Sequence, residues 1–260
     1  PSITERDEMF IRWAVEQNLD FVAHSFVRSK DDVMAVQRII DECGGHLKII
    51  SKIENREGVD NIDSILEHTY GVMVARGDLG VEIPLERIPI VQRTIIKKCV
   101  EAKKPVIVAT QMLQSMISNP RATRAEISDI AGAIYQRADA LMLSGETASG
   151  RYPVEAVRTM ARVASRIEQD TYTIENVNMT GVNNEITAQL ARSAVRACLN
   201  LPVKAVVIDT LSGRTGRYLS AFRGSRTVYA VCYRKNVMRE MALSYGICPR
   251  YQEPPRSHHS

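Results

Sequence analysis

This sequence lacks the features that would place a chain in a membrane or outside the cell. Its longest apolar runs, such as 105–109 and 138–143, are far shorter than the roughly 20 residues that cross a bilayer. No basic segment followed by an apolar stretch opens the N-terminus, so nothing there resembles a secretory signal peptide. We therefore expect a soluble, cytoplasmic protein with no membrane partner.

Cysteine is scarce as well. The chain has five cysteines, an odd number, with no CxxC pair and no cluster of several Cys and His residues. Neither a disulfide framework nor a zinc site is expected. The thiols are predicted to be buried apolar groups in a reducing compartment.

Charge of one sign is not concentrated anywhere. The net charge is +4, and Lys and Arg are scattered along the chain, whereas a nucleic-acid-binding protein usually carries a basic stripe or a recognisable motif. We predict no nucleic-acid partner. The slight basicity suits an anionic substrate only as weak evidence, because an ordinary solvated surface is the better explanation.

What the sequence does have is a regular alternation of strand and helix patterns. Short runs rich in Val, Ile and Leu, typical of parallel strands buried on both faces, recur about every 30 residues, the length of one βα unit in a barrel. Five such runs precede a change of pattern. We therefore predict an α/β fold that begins with a partial (β/α)8 TIM-type barrel of about five βα units. The predicted strands are 19–26, 47–53, 71–75, 105–110 and 140–143.

Helix start and stop signals lie between these runs. Gly44-Gly45 is expected to end the second helix, and Pro153 suits the first turn of a later one. Three pairs have the spacing of a capping box: Thr4 with Asp7, Ser29 with Asp32, and Thr123 with Glu126.

A second, incomplete α/β domain of the effector-binding type is predicted after the barrel segment. The helical stretch 153–172 is followed by a polar, Asn-rich connection at 173–185. We place the domains at 1–170 and 171–255 and interpret 256–260 as an appended tail. The later predicted elements are a helix at 186–199, a strand at 205–209, a helix at 215–222 and a strand at 227–232.

Polar side chains gather where the barrel strands are predicted to end, which is the face of a barrel that carries its chemistry. Lys52 and Glu54 stand two residues apart, so in extended backbone both point to the same side of the sheet. Two further pairs repeat this spacing: Arg76 with Asp78, and Ser144 with Glu146. The strand ends are therefore expected to converge on one site.

The residue types at this face indicate a divalent cation and an anionic substrate. Two carboxylates supply the oxygen ligands that Mg2+ prefers, and a nearby ammonium can neutralise charge on a phosphoryl group. Gly77 lets the backbone approach a ligand closely. Thr110, the last residue of the fourth predicted strand, adds a hydroxyl at the same face. A structural ion-pair network would account for any one pair, but four strand ends together favour a functional site.

Longer motifs at these strand ends are more specific than spacing alone. They are 50–55 (ISKIEN), 73–80 (MVARGDLG), 109–113 (ATQML) and 142–147 (MLSGET), with 120–126 (PRATRAE) as a further segment. In this order and at this spacing they resemble the signatures of the pyruvate kinase family. The similarity extends from Ile3 to about Tyr251.

The resemblance implies a role for each matching residue. Glu54 and Asp78 would bind the divalent metal, and Lys52 would stabilise charge on the phosphoryl group as it passes from phosphoenolpyruvate to ADP. Thr110, with backbone N–H groups at 77–78, would hold the substrate carboxylate, and it lies where the family protonates the enolpyruvate. The implied substrate-binding residues are Phe26, Lys52, Ala75, Arg76, Gly77, Asp78, Thr110 and Ser144.

Cofactors and partners follow from the same resemblance. It implies that Mg2+ or Mn2+ binds, and that the complete enzyme also binds K+. The implied substrates are phosphoenolpyruvate and ADP or ATP. The complete enzyme is implied to be a homotetramer. A segment of the second domain resembles a loop that binds a sugar-phosphate or nucleotide effector, although an ordinary capped helix start is the alternative. The loop residues are Thr210, Ser212, Gly213, Arg214 and Thr215, and Leu211 stands where some relatives have Lys.

The resemblance also implies that parts of the family's enzyme have no counterpart here. These are three barrel strands that supply K+ ligands and nucleotide contacts, a lid domain and the last strands of the effector domain. We therefore expect the isolated chain to be an incomplete, inactive enzyme. Two other functions stay open: a metal-dependent aldolase or lyase of the related phosphoenolpyruvate/pyruvate barrels, and a non-catalytic effector-binding or assembly fragment.

Overall fold

The chain folds into two compact units, Pro1–Thr173 and Ile174–Ser260. The structure is a computed structural model and describes residues 3–170, 179 and 185–254. The connection predicted at 173–185 lies outside the described residues apart from 179 and 185. The tail predicted at 256–260 lies outside them entirely.

Five parallel strands form the sheet of the first unit, in the order in which they follow along the chain. A sequential, all-parallel order requires a crossover after each strand, which is the βα repeat predicted from the sequence. Each predicted strand is present, and the structure shortens every one except the third. The strands are β1 Phe21–His24, β2 Lys48–Ile53, β3 Gly71–Ala75, β4 Val106–Ala109 and β5 Ala140–Leu141.

Burial falls from the middle of this sheet to its edges. All five residues of β3 are buried, as are Ile53 of β2 and Val108 of β4, whereas β1 and β5 are partly exposed. Fully burying a side chain such as Ile53 contributes about 2 kcal/mol, so the central strands anchor the unit. Among the described residues β1 pairs only with β2 and β5 only with β4, which leaves the sheet open at both edges.

Helices connect the strands of the first unit and cover the sheet. The second helix shows why they form: Val33, Val36 and Ile40 recur at helical spacing and are all buried. The helices are α1 Glu5–Glu16, α2 Lys30–Glu42, α3 Arg56–Asp60, α4 Ile62–His68, α5 Arg76–Glu82, α6 Ile88–Glu101, α7 Arg124–Tyr135, α8 Gly145–Ala148 and α9 Pro153–Glu168, with 3-10 turns at Leu85–Arg87 and Gln114–Ile117.

Two of the three predicted capping boxes are present. Thr4 N–H donates to the Asp7 carboxylate at 2.9 Å, and Asp7 N–H donates to Thr4 Oγ1 at 3.2 Å. Thr123 and Glu126 make the same reciprocal pair at 2.7 and 3.3 Å. Gly44 has φ +64° directly after α2, which confirms that the glycine pair ends this helix.

The third predicted box is wrong. The Ser29 hydroxyl caps α2 by accepting from Asp31 N–H at 3.2 Å. Asp32 does not return the bond to Ser29, because its carboxylate accepts from the backbone N–H of Arg28 at 2.9 Å and pairs with the Arg28 guanidinium at 3.2 Å. The nearby cation therefore takes the carboxylate that the spacing had assigned to the cap.

A three-stranded parallel sheet and its helices make up the second unit. The helices and strands predicted at 186–199, 205–209, 215–222 and 227–232 are all present, with each end within one residue of the prediction. The elements are α10 Glu185–Asn200, β6 Val206–Thr210, α11 Arg214–Ala221, β7 Val228–Cys232, α12 Lys235–Met241 and β8 Ile247–Tyr251.

The sequence pattern did not predict α12 and β8. The α12 helix has only seven residues, too few to show a period, although it buries Val237 and Met241 against Ala230 and Cys232 of β7. In β8, Pro249 interrupts the apolar run and has no N–H for a ladder bond. It is accommodated because β8 is an edge strand of the described sheet.

The two units confirm the predicted fold class, a partial (β/α)8-type barrel followed by an α/β unit. Over the residues that the structure describes, no helix combines the length and the apolar character needed to span a bilayer. All five cysteines are free thiols, and three of them are buried.

Candidate active site

Lys52 and Glu54, at the carboxyl end of β2, form an ion pair. Lys52 Nζ lies 2.9 Å from Glu54 Oε1 and donates a hydrogen bond to Ser25 Oγ, also at 2.9 Å. The same-side orientation predicted for this pair is confirmed. The Glu54 side chain is 1% exposed and that of Lys52 is 24% exposed. A carboxylate so deeply buried needs a counter-charge, and Lys52 supplies it.

The loop after β1 contacts the same carboxylate from the other side. Phe26 N–H donates to Glu54 Oε2 at 2.7 Å, so both oxygens of Glu54 have a partner. Phe26 has φ +55°, a left-handed conformation that is uncommon for a bulky residue. Phe26 is 58% exposed, and its backbone N–H is bonded to Glu54, so the residue is accessible to a ligand at this site.

The segment after β3 is helical, which corrects one prediction. The α5 helix begins at Arg76, directly after the buried Ala75, so Arg76 and Asp78 do not have the extended backbone assumed from their spacing. Residues two apart on a helix lie on different faces, and the predicted same-side arrangement of this pair is wrong. The structure leaves Asp78 exposed and Arg76 mostly buried.

Thr110 follows β4 and is held by the segment after β3. Gly77 N–H donates to Thr110 Oγ1 at 2.9 Å, and Arg76 Nη2 donates to the Thr110 carbonyl at 2.7 Å. Thr110 and Gln111 have φ values of +69° and +57°, two consecutive left-handed residues. Because the hydroxyl of Thr110 accepts from Gly77, its own hydrogen is left for a further acceptor.

The Arg76 guanidinium extends away from the ion pair, toward α7. Its Nη1 lies 2.7 Å from Asp129 Oδ1 and 3.4 Å from Gln92 Oε1. These contacts, with the bond to Thr110, fix a side chain that is 10% exposed. The sequence assigned Arg76 to substrate binding, whereas its guanidinium in this structure supports the backbone of Thr110.

Glu146 lies in α8, the short helix that follows the fifth strand, and is buried. Its Oε1 accepts from Leu113 N–H at 3.0 Å and its Oε2 from Ser144 N–H at 2.8 Å. Since α8 begins at Gly145, Ser144 and Glu146 do not share the extended backbone assumed from their spacing, and that second same-side prediction is also wrong.

Side-chain to backbone hydrogen bonds join each loop at this edge to the next. We refer to these four bonds as the loop ties. Each has an oxygen of a side chain as acceptor and an N–H of the neighbouring loop as donor. They are Phe26 N to Glu54 Oε2 at 2.7 Å, Arg56 N to Glu82 Oε2 at 2.9 Å, Gly77 N to Thr110 Oγ1 at 2.9 Å, and Leu113 N to Glu146 Oε1 at 3.0 Å.

Comparison with known proteins assigns both units. The family model of the pyruvate kinase barrel domain matches residues 1–157, and that of the pyruvate kinase alpha/beta domain matches residues 188–260. The chain belongs to the pyruvate kinase family. This assignment favours the kinase over the aldolase or lyase alternative.

Curated bacterial pyruvate kinases are similar along nearly the whole chain. The identity is 49% over 250 residues with the enzyme of Bacillus licheniformis, and 47% with those of Borreliella burgdorferi and Clostridium perfringens. Each match covers 95% of this chain but 43%, 52% and 53% of the respective relative. The chain therefore spans about half the length of the curated relatives it matches.

The oxygen donors of the candidate site fit a hard divalent cation. Glu54 and Asp78 follow neighbouring strands, and no group of three or more His, Cys, Asp or Glu that could hold a metal ion is found among the described residues. Mg2+ is commonly bound by one or two carboxylates with substrate oxygens and water completing its shell. Two protein carboxylates suit a metal that is shared with a substrate.

The loop of the second unit that resembles the family's effector loop lines a pocket of about 620 Å3. Thr210 Oγ1 accepts from Gly213 N–H at 2.8 Å, and Gly213, with φ +74°, directly precedes α11. A Cβ at Gly213 would lie 2.5 Å from the sulfur of Met241, and the positive φ also favours glycine at this position. The pocket is lined by Thr187, Asp209, Thr210, Leu211, Ser212, Arg214, Thr215, Tyr233 and Pro254.

Three residues that contact the candidate site were not assigned a role from the sequence. Ser25 contacts Lys52, Asp129 fixes Arg76, and Glu146 joins the loops after β4 and β5. Glu146 lies inside a motif that the sequence analysis had singled out. Asp129 lies on a helix 53 residues beyond Arg76, and no local pattern links the two.

Proposed function

We propose that this chain is part of a pyruvate kinase that transfers the phosphoryl group of phosphoenolpyruvate to ADP, giving pyruvate and ATP. The proposal rests chiefly on the buried Glu54 carboxylate, which is paired with Lys52 at the end of β2. A terminal oxygen of ADP attacks phosphorus, the bond from phosphorus to the enol oxygen breaks, and the enolpyruvate takes a proton at its methylene carbon.

Lys52 is proposed to stabilise the phosphoryl group in transit. Phosphoryl transfer places negative charge on the equatorial oxygens, and catalysis consists mainly of positioning and of cations around them. The Lys52 ammonium is held by Ser25 and Glu54 on one side and is partly exposed, so it has donor capacity left for a phosphoryl oxygen.

Glu54 and Asp78 are proposed to hold Mg2+ or Mn2+ together with the substrate. When bound, the cation supplies charge neutralisation at the phosphoryl and enol oxygens. One oxygen of Glu54 remains fixed by Phe26 N–H, which sets the direction of the carboxylate. The K+ dependence of the family is proposed for the complete enzyme, and no residue of this chain is assigned to it.

Thr110 is proposed to bind the substrate carboxylate and to deliver the proton, directly or through water. Its hydroxyl accepts from Gly77 N–H, which aims the O–H hydrogen at another acceptor. The exposed Phe26 ring, the backbone of Ala75 to Asp78 and Ser144 complete the proposed substrate contacts.

We also propose an effector site, an oligomeric state and a cellular compartment. The pocket beside Thr210 to Thr215 combines hydroxyls, an exposed Arg214 and the start of α11, which suits the phosphate of a sugar-phosphate or nucleotide effector. The complete enzyme is proposed to be a cytoplasmic homotetramer. The free thiols of all five cysteines fit a reducing compartment.

A coupled pyruvate-release assay tests the proposed reaction. The complete protein should release pyruvate with phosphoenolpyruvate, ADP and Mg2+, whereas the 260-residue chain alone should turn over at least a hundredfold more slowly, because its five-stranded sheet is open at both described edges. Absence of pyruvate release by the complete protein, with effector binding retained in calorimetry, would instead support the non-catalytic alternative. Turnover by the isolated chain close to that of the complete protein would show that it is not an incomplete enzyme.

A further inference from the structure

The fourth and fifth strands pair with each other over very few residues. Their ladder contains two residue pairs, Ile107 with Ala140 and Val108 with Leu141, and β5 has only those two residues. Thr110 and Ser144 both lie beyond the end of this ladder. The backbone pairing that fixes other strand ends therefore does not determine how these two residues sit relative to each other.

Glu146 supplies the missing connection. One carboxylate oxygen accepts from Leu113, in the loop that carries Thr110, and the other accepts from the N–H of Ser144 itself. The side chain is buried, and Leu113 is fully buried as well, so the bond to Leu113 is shielded from water and the bond to Ser144 is partly shielded. A carboxylate that bridges two backbone N–H groups in this setting fixes both loops with directional, charge-assisted bonds.

The loop that Glu146 holds has an unusual backbone. Thr110 and Gln111 are both left-handed, a conformation that non-glycine residues adopt only when their surroundings enforce it. Gly77 and Arg76 hold this pair at Thr110, and Glu146 holds it two residues after Gln111, at Leu113. The left-handed pair is therefore fixed on both sides.

We propose that Glu146 is a positioning residue of the active site, which sets the place of Thr110 relative to Ser144 for proton transfer to the enolpyruvate. The proposal rests on the proposed pyruvate kinase reaction. Glu146 acts through the two loops and does not itself touch the substrate. A misplacement of about 1 Å in such an arrangement can lower the rate on the order of a hundredfold.

The variant that tests this is Glu146→Gln in the complete enzyme. Glutamine keeps the shape, but its NH2 group cannot accept from a backbone N–H, so one of the two bonds is lost. We expect kcat to fall at least tenfold with a change of less than threefold in KM for phosphoenolpyruvate. Exchange of the pyruvate methyl protons with D2O, which follows proton transfer without phosphoryl transfer, should fall by at least the same factor.

Glu126→Gln is the matched control. Glu126 also accepts from a backbone N–H of the same loop, that of Ser115 at 2.6 Å, but it joins the loop to the start of α7 and not to Ser144. We expect kcat of this variant to stay within threefold of wild type. An equal loss of kcat in the two variants would overturn the proposal, because any weakening of the loop would then have the same effect.

A double-mutant cycle separates positioning of Thr110 from general support. If Glu146 acts through Thr110, Glu146→Gln should lower the exchange rate by less than threefold in a Thr110→Ala background. A loss of the same factor in both backgrounds would contradict the proposal.

Hydrogen exchange of the wild-type enzyme tests the bridge without any variant. The amides of Leu113 and Ser144 should exchange at least a hundredfold more slowly than that of the exposed Gln111. Fast exchange at Leu113 would overturn the proposal even if the variants do not fold. A wild-type enzyme without pyruvate release would refute the reaction itself, while the exchange result would still report on the bridge.

Discussion

The ammonium of Lys52 contacts a carboxylate that is almost completely buried, with Nζ 2.9 Å from Oε1 of Glu54. Glu54 depends on Lys52, because it has no other cation within ion-pair distance among the described residues. The pair therefore links the stability of the free protein to its proposed chemistry. Substitution of either residue should therefore change both the stability of the protein and its proposed activity.

Lys52→Met in the complete enzyme should lower kcat at least a hundredfold, because Lys52 is proposed to stabilise charge in the transition state. Binding of phosphoenolpyruvate and metal should be largely preserved. The free energy of unfolding in metal-free buffer should fall by about 1–3 kcal/mol, since Glu54 loses its counter-charge. Steady-state kinetics and urea unfolding measure the two effects.

Lys98→Met is the control for that variant. Lys98 pairs with Asp63, whose side chain is 75% exposed, and surface pairs of this kind contribute about 0–1 kcal/mol. We expect unchanged kcat and little loss of stability. Turnover of Lys52→Met within tenfold of wild type would refute the proposed role of Lys52.

Asp78→Asn and Glu54→Gln should each raise the Mg2+ concentration needed for half-maximal activity at least tenfold, because a neutral amide is a poorer ligand for a hard dication. The two variants should differ in stability. Asp78 is exposed, so its variant should unfold like wild type, whereas Glu54 is buried between Lys52 and Phe26 N–H, so its variant should be destabilised. Unchanged metal dependence in both would mean that these residues are not the ligands.

Gly77→Ala should weaken substrate binding without destabilising the fold. A Cβ at Gly77 would have its nearest neighbours at 3.6 and 3.9 Å, both in Thr110, which is ordinary van der Waals contact. The fold should therefore accept alanine, with an unfolding free energy equal to wild type or up to about 1 kcal/mol higher. If substrate approaches this backbone, KM for phosphoenolpyruvate should rise at least fivefold. Unchanged KM would place the substrate carboxylate elsewhere.

Arg214→Ala should weaken activation by a phosphorylated effector without changing kcat at saturating substrate, with a coupling loss of about 1–3 kcal/mol. Arg214 is exposed and lines the pocket of the second unit. The control is Arg234→Ala, which removes an exposed arginine of the same unit that does not line the pocket. Activation curves with sugar-phosphate and nucleotide effectors give the measurement, and identical curves for both variants would make the loop structural.

Glu126 should contribute to the loss of stability in acid. Burial acts to raise the pKa of Glu126, but hydrogen bonds from Ser115 and Thr123 outweigh it and hold the pKa below its usual value. A carboxyl whose pKa is lowered by folding stabilises the fold above its unfolded pKa of about 4.3, and this contribution is lost as pH falls through the lower, folded pKa. Urea midpoints of Glu126→Gln between pH 7 and pH 3 should fall less steeply below pH 4.5 than those of wild type. A parallel acid limb in variant and wild type would contradict this assignment.

Much of the fold could be predicted because its signals are local. A buried parallel strand such as β3 is a continuous apolar run. Each capping box, at Thr4 and at Thr123, is recognised from the cap residue and an acidic residue three positions later. The two elements of the second unit that were missed have weak local signals. The α12 helix is too short to show a period, and β8 contains Pro249, which is tolerated only because of the strand's edge position.

For the candidate site, spacing along the sequence predicted one contact but not the arrangement of the other side chains. Spacing placed Lys52 and Glu54 together correctly, because β2 continues extended to Ile53. It failed for Arg76 and Asp78, because a helix begins directly after β3 and changes the period from two to 3.6. Contacts such as Arg76 with Asp129 join residues far apart in the chain, so only the folded chain reveals them.

The loop ties have a consequence for which substitutions the active site tolerates. In every tie the donor is a backbone N–H, which nineteen of the twenty amino acids supply whatever their side chain, and which proline alone lacks. The side chains at the donor positions can therefore vary without breaking a tie. These positions are Phe26, Arg56, Gly77 and Leu113. Substitutions at these four positions are thus compatible with an unchanged geometry of the strand ends, except for substitution by proline.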